Sequence, residues 1–167
     1  MKRLAVFPGS FDPFTIGHES IVRRAMDLFD EIVIAIGTNT NKPEYFPLKK
    51  RMEWILEAFS KDTSQVSVAS YNELTIEFCK SVHAKYLLRG LRTAADFEYE
   101  RAIAQVNKAM YPEIESVFLL TSPEHTSVNS TIVRDILRHG GNARQFLPGD
   151  ENLKNKIIHE APLYSSK

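Results

Sequence analysis

The 167-residue sequence predicts a single α/β domain with a five-stranded, parallel, doubly wound sheet and helices on both faces. Three observations carry this prediction. Short apolar runs, mostly bounded by turn residues, alternate along the chain with stretches in which apolar residues recur at helical spacing. Such strand–helix alternation is the pattern of a parallel sheet covered on both sides. No repeat, low-complexity tract or Pro/Gly/Ser-rich linker divides the chain, whose length falls within the ~100–200 residues of one domain.

The runs at 4–7, 32–36, 66–69, 86–88 and 117–120 read as the strands. A first helix carries Ile21, Val22, Ala25, Met26 and Phe29 on one stripe, and a second carries Leu48, Met52, Ile55, Leu56 and Phe59. A third is expected around 74–82, and a long fourth over 96–110 presents Phe97, Ile103, Val106 and Met110. Ile132, Val133, Ile136 and Leu137 mark a further helix that Gly140-Gly141 ends. Leu153, Ile157 and Ile158 mark a last helix over about 151–160; residues 149–167 carry no functional signal, and the terminal tail is expected to fray.

Composition excludes several classes. Lysine and arginine together number 21, as do aspartate and glutamate, so the chain lacks the basic excess of a nucleic-acid binder. A small anionic ligand needs only a local cluster of cations and stays allowed. Cys79 is the only cysteine, which rules out an intrachain disulfide and a cysteine-based zinc site. The apolar run near the start covers only residues 4–7, short of the roughly 7–15 a signal peptide needs, and no run approaches the ~20 of a spanning helix. A soluble, cytoplasmic protein is expected, with no membrane partner. The glycosylation pattern Asn129-Ser130-Thr131 then has no bearing.

In a doubly wound sheet, ligands bind beyond the carboxyl ends of the strands, where strand order reverses. Functional residues are therefore sought just after strands and at helix starts. Pro8-Gly9-Ser10-Phe11-Asp12-Pro13-Phe14-Thr15-Ile16-Gly17-His18 follows the first strand, its prolines and glycines forcing a tight loop, with His18 expected to open the first helix. Unpaired N–H groups and the positive dipole end make that start a seat for phosphate. His18 adds either a cation or a ring N–H donor. Arg89-Gly90-Leu91-Arg92 follows the fourth strand and precedes Asp96, Glu98 and Glu100. Two arginines so spaced either face one anion, with Gly90 admitting it close, or pair with those carboxylates. Lys42 lies in the polar loop 37–43, where spacing alone does not single it out. After the fifth strand, Ser130 and Thr131 begin a helix, as ordinary N-caps or as part of a triphosphate cradle.

Gly9-Ser10-Phe11-Asp12-Pro13 followed by Thr15-Ile16-Gly17-His18 resembles the signature of the nucleotidyltransferase superfamily with the (H/T)xGH motif, related to the HIGH motif of class I aminoacyl-tRNA synthetases. The resemblance narrows to the bacterial phosphopantetheine adenylyltransferases over about residues 3–148, through PGSFDP, TxGH, the lysine after strand two, RGLRxxxDFEYE, Asn107, ESVFL and Phe146-Leu147-Pro148. RGLRxxxDFEYE is the most discriminating piece, since other small nucleotidyltransferases share only the first motif.

The resemblance implies a Rossmann-like enzyme that joins 4′-phosphopantetheine to the AMP half of ATP, releasing pyrophosphate and making dephospho-coenzyme A. It implies Mg²⁺ held mainly by ATP, with no metal ligands from protein side chains, a homohexamer, and coenzyme A as a feedback ligand. Carried over by motif, Ser10 contacts both substrates, and Phe11 and His18 lie beside the ATP phosphates. Lys42, Thr75 and Arg89 hold phosphopantetheine, while Gly90, Leu91, Arg92 and Glu100 line the nucleotide site. The segment His125, Thr126, Ser127, Val128, Asn129, Ser130 and Thr131 completes that site. The resemblance makes Ser10, His18, Lys42 and Arg92 the residues of the reaction itself.

The attacking group is already a phosphate, so the chemistry requires no protein nucleophile, only cations and aimed donors that bring two polyanions together. Three positions depart from the family pattern. Asn129 stands within a usual Ser/Thr run, Phe7 where tyrosine is frequent, and His125 where an aromatic is often found near adenine. Competing expectations are a transferase of the same fold acting on nicotinamide mononucleotide, or using CTP with an alcohol phosphate, and a non-catalytic nucleotide-binding module.

Overall fold

The computed structural model describes residues 2–38 and 41–163, so Met1, Asn39, Thr40 and residues 164–167 lie outside it. Strands β1 (Leu4–Gly9), β2 (Glu31–Gly37), β3 (Val66–Tyr71), β4 (Tyr86–Leu91) and β5 (Glu115–Leu120) form one parallel sheet in the order β3-β2-β1-β4-β5. Helices α1 (Ile16–Ala25), α2 (Leu48–Ala58), α3 (Thr75–Ser81), α4 (Ala94–Met110), α5 (Ser130–Arg138) and α6 (Glu151–His159) connect and flank the strands.

Both faces of the sheet are covered, and the two-residue strand period divides the core accordingly. Ala5 and Phe7, Ile32, Ile34 and Ile36, and Leu88 pack on one side against Ile21, Val22 and Ala25 of α1 and Ile55 of α2. Val6, Val33, Ala35 and Leu87 pack on the other against Ile76, Phe78 and the buried thiol Cys79 of α3. Phe46, Trp54 of α2, Val133 and Leu137 of α5, and Leu153 and Ile157 of α6 form a third cluster beside the sheet. The C-terminal stretch thus extends the core, with α6 opened by Asp150 accepting from the Leu153 amide at 3.0 Å.

Strand boundaries differ from the sequence reading at the end that matters. β1 continues through Pro8 and Gly9, and β4 through Arg89, Gly90 and Leu91. The apolar runs stop at Pro8 and Arg89, whereas backbone pairing with β2 and β5 goes on to Gly9 and Leu91. Strand order reverses between β1 and β4, which places the crevice of a doubly wound sheet at their carboxyl ends. No helix among the described residues is long and apolar enough to cross a membrane.

Candidate active site

A cavity of about 480 Å³ opens at that crevice. Its floor is the end of β1 and the following turn, Phe7 to Phe11; one wall is Arg89, Gly90 and Arg92 from β4 and its exit. Three helix starts meet on it: Gly17 and His18 of α1, Ala95 and Asp96 of α4, and Asn129 and Ser130 at the head of α5. Three positive dipole ends, capped by Thr15, Thr93 and Asn129, therefore border one space, an environment that favours anions.

His18 lies in the first turn of α1, not at its opening, because Thr15 is the N-cap. The two residues cap each other. The Thr15 hydroxyl accepts from the His18 amide at 3.4 Å, and the Thr15 amide donates to His18 Nδ1 at 3.0 Å. With Nδ1 accepting, the neutral ring carries its proton on Nε2, which is left to donate. The imidazole packs edge-on to Phe11 at 5.0 Å and lies 5.3 Å from Phe14. Burial, reinforced by Arg92 and Arg89, lowers its pKa from 6.5 to about 4. Of the two forms left open by the sequence, the structure favours the neutral donor over the cation.

The arginines both line the cavity and bind carboxylates. Arg89 Nε and Nη2 donate to Glu100 at 2.9 and 2.5 Å, and Nη1 donates to the Pro8 carbonyl at 2.9 Å. The Arg92 amide and Nε donate to Asp96 at 3.0 and 3.2 Å. The carboxylate pairing that the sequence left open is thus observed, and both arginines also line the cavity.

A second cavity of about 340 Å³ adjoins the first through the shared residues Pro8, Arg89 and Glu100. Leu74, Ile76, Leu87, Ile103, Val106 and Met110 make it largely apolar, with Thr75 and Asn107 as polar points. Thr75 Oγ1 lies 2.8 Å from the Tyr71 hydroxyl. One space suits a polyanion, the other an uncharged chain, and Arg89 stands between them.

The sequence matches the cytidylyltransferase-like family over residues 6–136. It is 50% identical over 146 residues to the phosphopantetheine adenylyltransferase of Bacteroides thetaiotaomicron, covering 87% of this chain and 95% of that one. It is 51% identical over 152 residues to that of Flavobacterium johnsoniae, covering 91% and 99%. The chain belongs to the phosphopantetheine adenylyltransferase family. Among solved structures, a bifunctional NMN adenylyltransferase/ADP ribose pyrophosphatase from Francisella tularensis superposes with a TM-score of 0.72 at 19% identity, over 95% of this chain and 50% of that one. The chain spans half the length of that protein, and the likeness is one of fold.

Most positions that carry the family motifs converge on the two cavities. Ser10, Phe11, His18, Arg89, Gly90, Arg92, Glu100, Val128, Asn129 and Ser130 line the first, and Thr75 the second. Others stand apart. Leu91 is buried, His125 packs its Cβ 3.7 Å from where a side chain on Gly17 would begin, and Thr126, Ser127 and Thr131 are exposed. Lys42 is exposed in the stretch 41–44 and lines neither cavity.

The α5 cap falls to Asn129, whose Oδ1 accepts from the Ile132 amide at 2.9 Å, and not to Ser130 or Thr131. Asparagine caps as well as serine, so the departure at 129 preserves the helix start. Ser130 Oγ instead donates to the Pro13 carbonyl at 2.8 Å. Sequence reasoning missed the supports of the β1–α1 turn. Asp12 is buried and accepts from the Tyr45 and Phe46 amides, Arg51 donates to the Ser10 carbonyl, and Arg134 donates to the Asp12 carbonyl. Long-range bonds to backbone acceptors leave no mark in sequence, so no signal pointed to these residues.

Proposed function

We propose that this protein transfers the adenylyl group of ATP to 4′-phosphopantetheine, giving dephospho-coenzyme A and pyrophosphate. The observation that carries the reading is the pair of cavities meeting at Arg89: an anion-binding space ringed by helix starts, joined to an apolar space with Thr75 and Asn107. The family of the close relatives agrees with it. The triphosphate occupies the first cavity and the uncharged pantetheine arm the second, which brings the acceptor phosphate to Arg89.

A phosphate oxygen of the acceptor attacks the α-phosphorus in line, the new P–O bond forms, and the bond to the β-phosphate breaks with its electrons leaving on pyrophosphate. His18, neutral and donating from Nε2, stabilises the charge that grows on the α-phosphate, with Ser10 and the α1 amides beside it. Arg92 bears on the phosphates of ATP, and Lys42 approaches the acceptor phosphate from its exposed loop. Asp96 and Glu100 are each engaged by an arginine. With those carboxylates paired, a Mg²⁺ ion bound with ATP would be held mainly by phosphate oxygens and water, and would supply charge neutralisation at the leaving pyrophosphate. We extend the reading to a cytoplasmic homohexamer subject to coenzyme A feedback. Phe97 on α4, apolar, exposed and outside both cavities, is open to such assembly.

Pyrophosphate release from ATP, measured with phosphopantetheine, nicotinamide mononucleotide or no acceptor, tests the reading. Release only with phosphopantetheine is expected. Release only with the mononucleotide, or binding without turnover, would replace it with one of the competing functions.

A further inference from the structure

We propose that Arg51 is a positioning residue for the reaction: its buried guanidinium clamps the Ser10–Phe11 turn into the shape that presents Ser10 and Phe11 to the anion cavity. Arg51 lies in α2 and lines neither cavity. Its side chain is only 3% exposed, whereas its carboxylate partner Glu44 is 52% exposed, so the buried cation is not simply matched by a buried anion. Its donors go chiefly to backbone. Nε donates to the Phe46 carbonyl at 2.9 Å and Nη1 to the Ser10 carbonyl at 2.6 Å, while Nη2 meets Glu44.

Ser10 is the residue before the one strained point of the turn. Phe11 has φ of 45°, left-handed backbone that a phenylalanine holds only when its surroundings impose it. Two clamps impose it, both anchored on residues 44–46. Arg51 fixes the Ser10 carbonyl, and therefore the Ser10–Phe11 peptide plane, while the Asp12 carboxylate accepts from the Tyr45 and Phe46 amides at 2.7 and 2.8 Å. The held Phe11 ring in turn packs on His18 at 5.0 Å and on Phe7 at 5.3 Å. Arginine suits the task because its planar fork reaches three acceptors in fixed directions. Lysine would keep the charge and abandon one of the buried carbonyls.

The kinetic part of this proposal rests on the adenylyl-transfer reading; the structural part does not. The test compares Arg51→Lys with Ile55→Val, a core change one turn along α2, in denaturant adjusted so that both have equal stability. Expected for Arg51→Lys is amide hydrogen exchange in the 9–13 segment about tenfold faster than in Ile55→Val. A kcat lower by about 10- to 100-fold should accompany it, with both KM values within about threefold of wild type. Arg51→Met serves as a second variant, with the same exchange result expected. Exchange and kcat equal to those of Ile55→Val would overturn the proposal. A wild type that fails to use phosphopantetheine would overturn the functional reading, while the exchange comparison would still decide the clamp.

Discussion

Thr15 and His18 hold each other at the head of α1, and the Thr15 amide donating to His18 Nδ1 at 3.0 Å selects the ring tautomer that donates from Nε2. In the proposed reaction, the arrangement that caps the helix also supplies the donor. His18→Ala is expected to lower kcat by about 10²-fold or more, the cost of losing one preorganised donor, while ATP still binds. Steady-state kinetics with a separate ATP-binding measurement checks this. Wild-type turnover in the purified variant would remove His18 from the mechanism.

The same geometry sets a pH dependence. Burial lowers the His18 pKa from 6.5 to about 4, so between these values the unfolded chain binds a proton that the folded one does not. This contribution to stability is complete above pH 6.5 and is lost as pH falls toward 4. The Tm of the wild type should fall more steeply between pH 6.5 and 4.5 than that of His18→Gln. Parallel Tm profiles would mean that the imidazole is not held neutral.

The fold was legible because parallel strands buried on both faces announce themselves as apolar runs, and the alternation of Val6 with Ala5 and Phe7 between two core clusters is the simple outcome. The site was legible where glycine, histidine and arginine cluster near strand ends. Backbone acceptors were not. The hold of Arg51 on the Ser10 carbonyl joins residues 41 positions apart, and Arg134 reaches Asp12 across 122. Nor could spacing show that Arg89 would pair with Glu100 while also lining the cavity.

Arg89 stands where the two cavities join, so its loss should strike the acceptor more than the nucleotide. Arg89→Ala is expected to raise the KM for phosphopantetheine about tenfold or more, with a smaller change for ATP. Lys42→Ala should act in the same direction and less strongly, because Lys42 is exposed and outside both cavities. Equal changes in both KM values would contradict the division of the site.

Gly9 sits at the end of β1 against the turn it feeds. A Cβ there would lie 2.7 Å from the Phe11 ring, whose position Phe7, Phe14 and His18 restrict. Gly9→Ala should therefore destabilise the protein by about 1–3 kcal/mol, as overpacking does, and lower activity through Phe11. Denaturant unfolding measures the first effect and kcat the second. An unchanged unfolding midpoint would show that the ring can move aside.

Asn129 separates capping from phosphate contact at the start of α5. Its Oδ1 accepts from the Ile132 amide at 2.9 Å, and the residue also lines the anion cavity. Asn129→Ser preserves the cap and should be neutral in stability, whereas Asn129→Ala should cost about 1 kcal/mol. If capping is the whole role of this side chain, the serine variant keeps the ATP KM of the wild type. A serine variant of full stability with a several-fold change in that KM would instead assign the Asn129 amide a direct contact with the nucleotide.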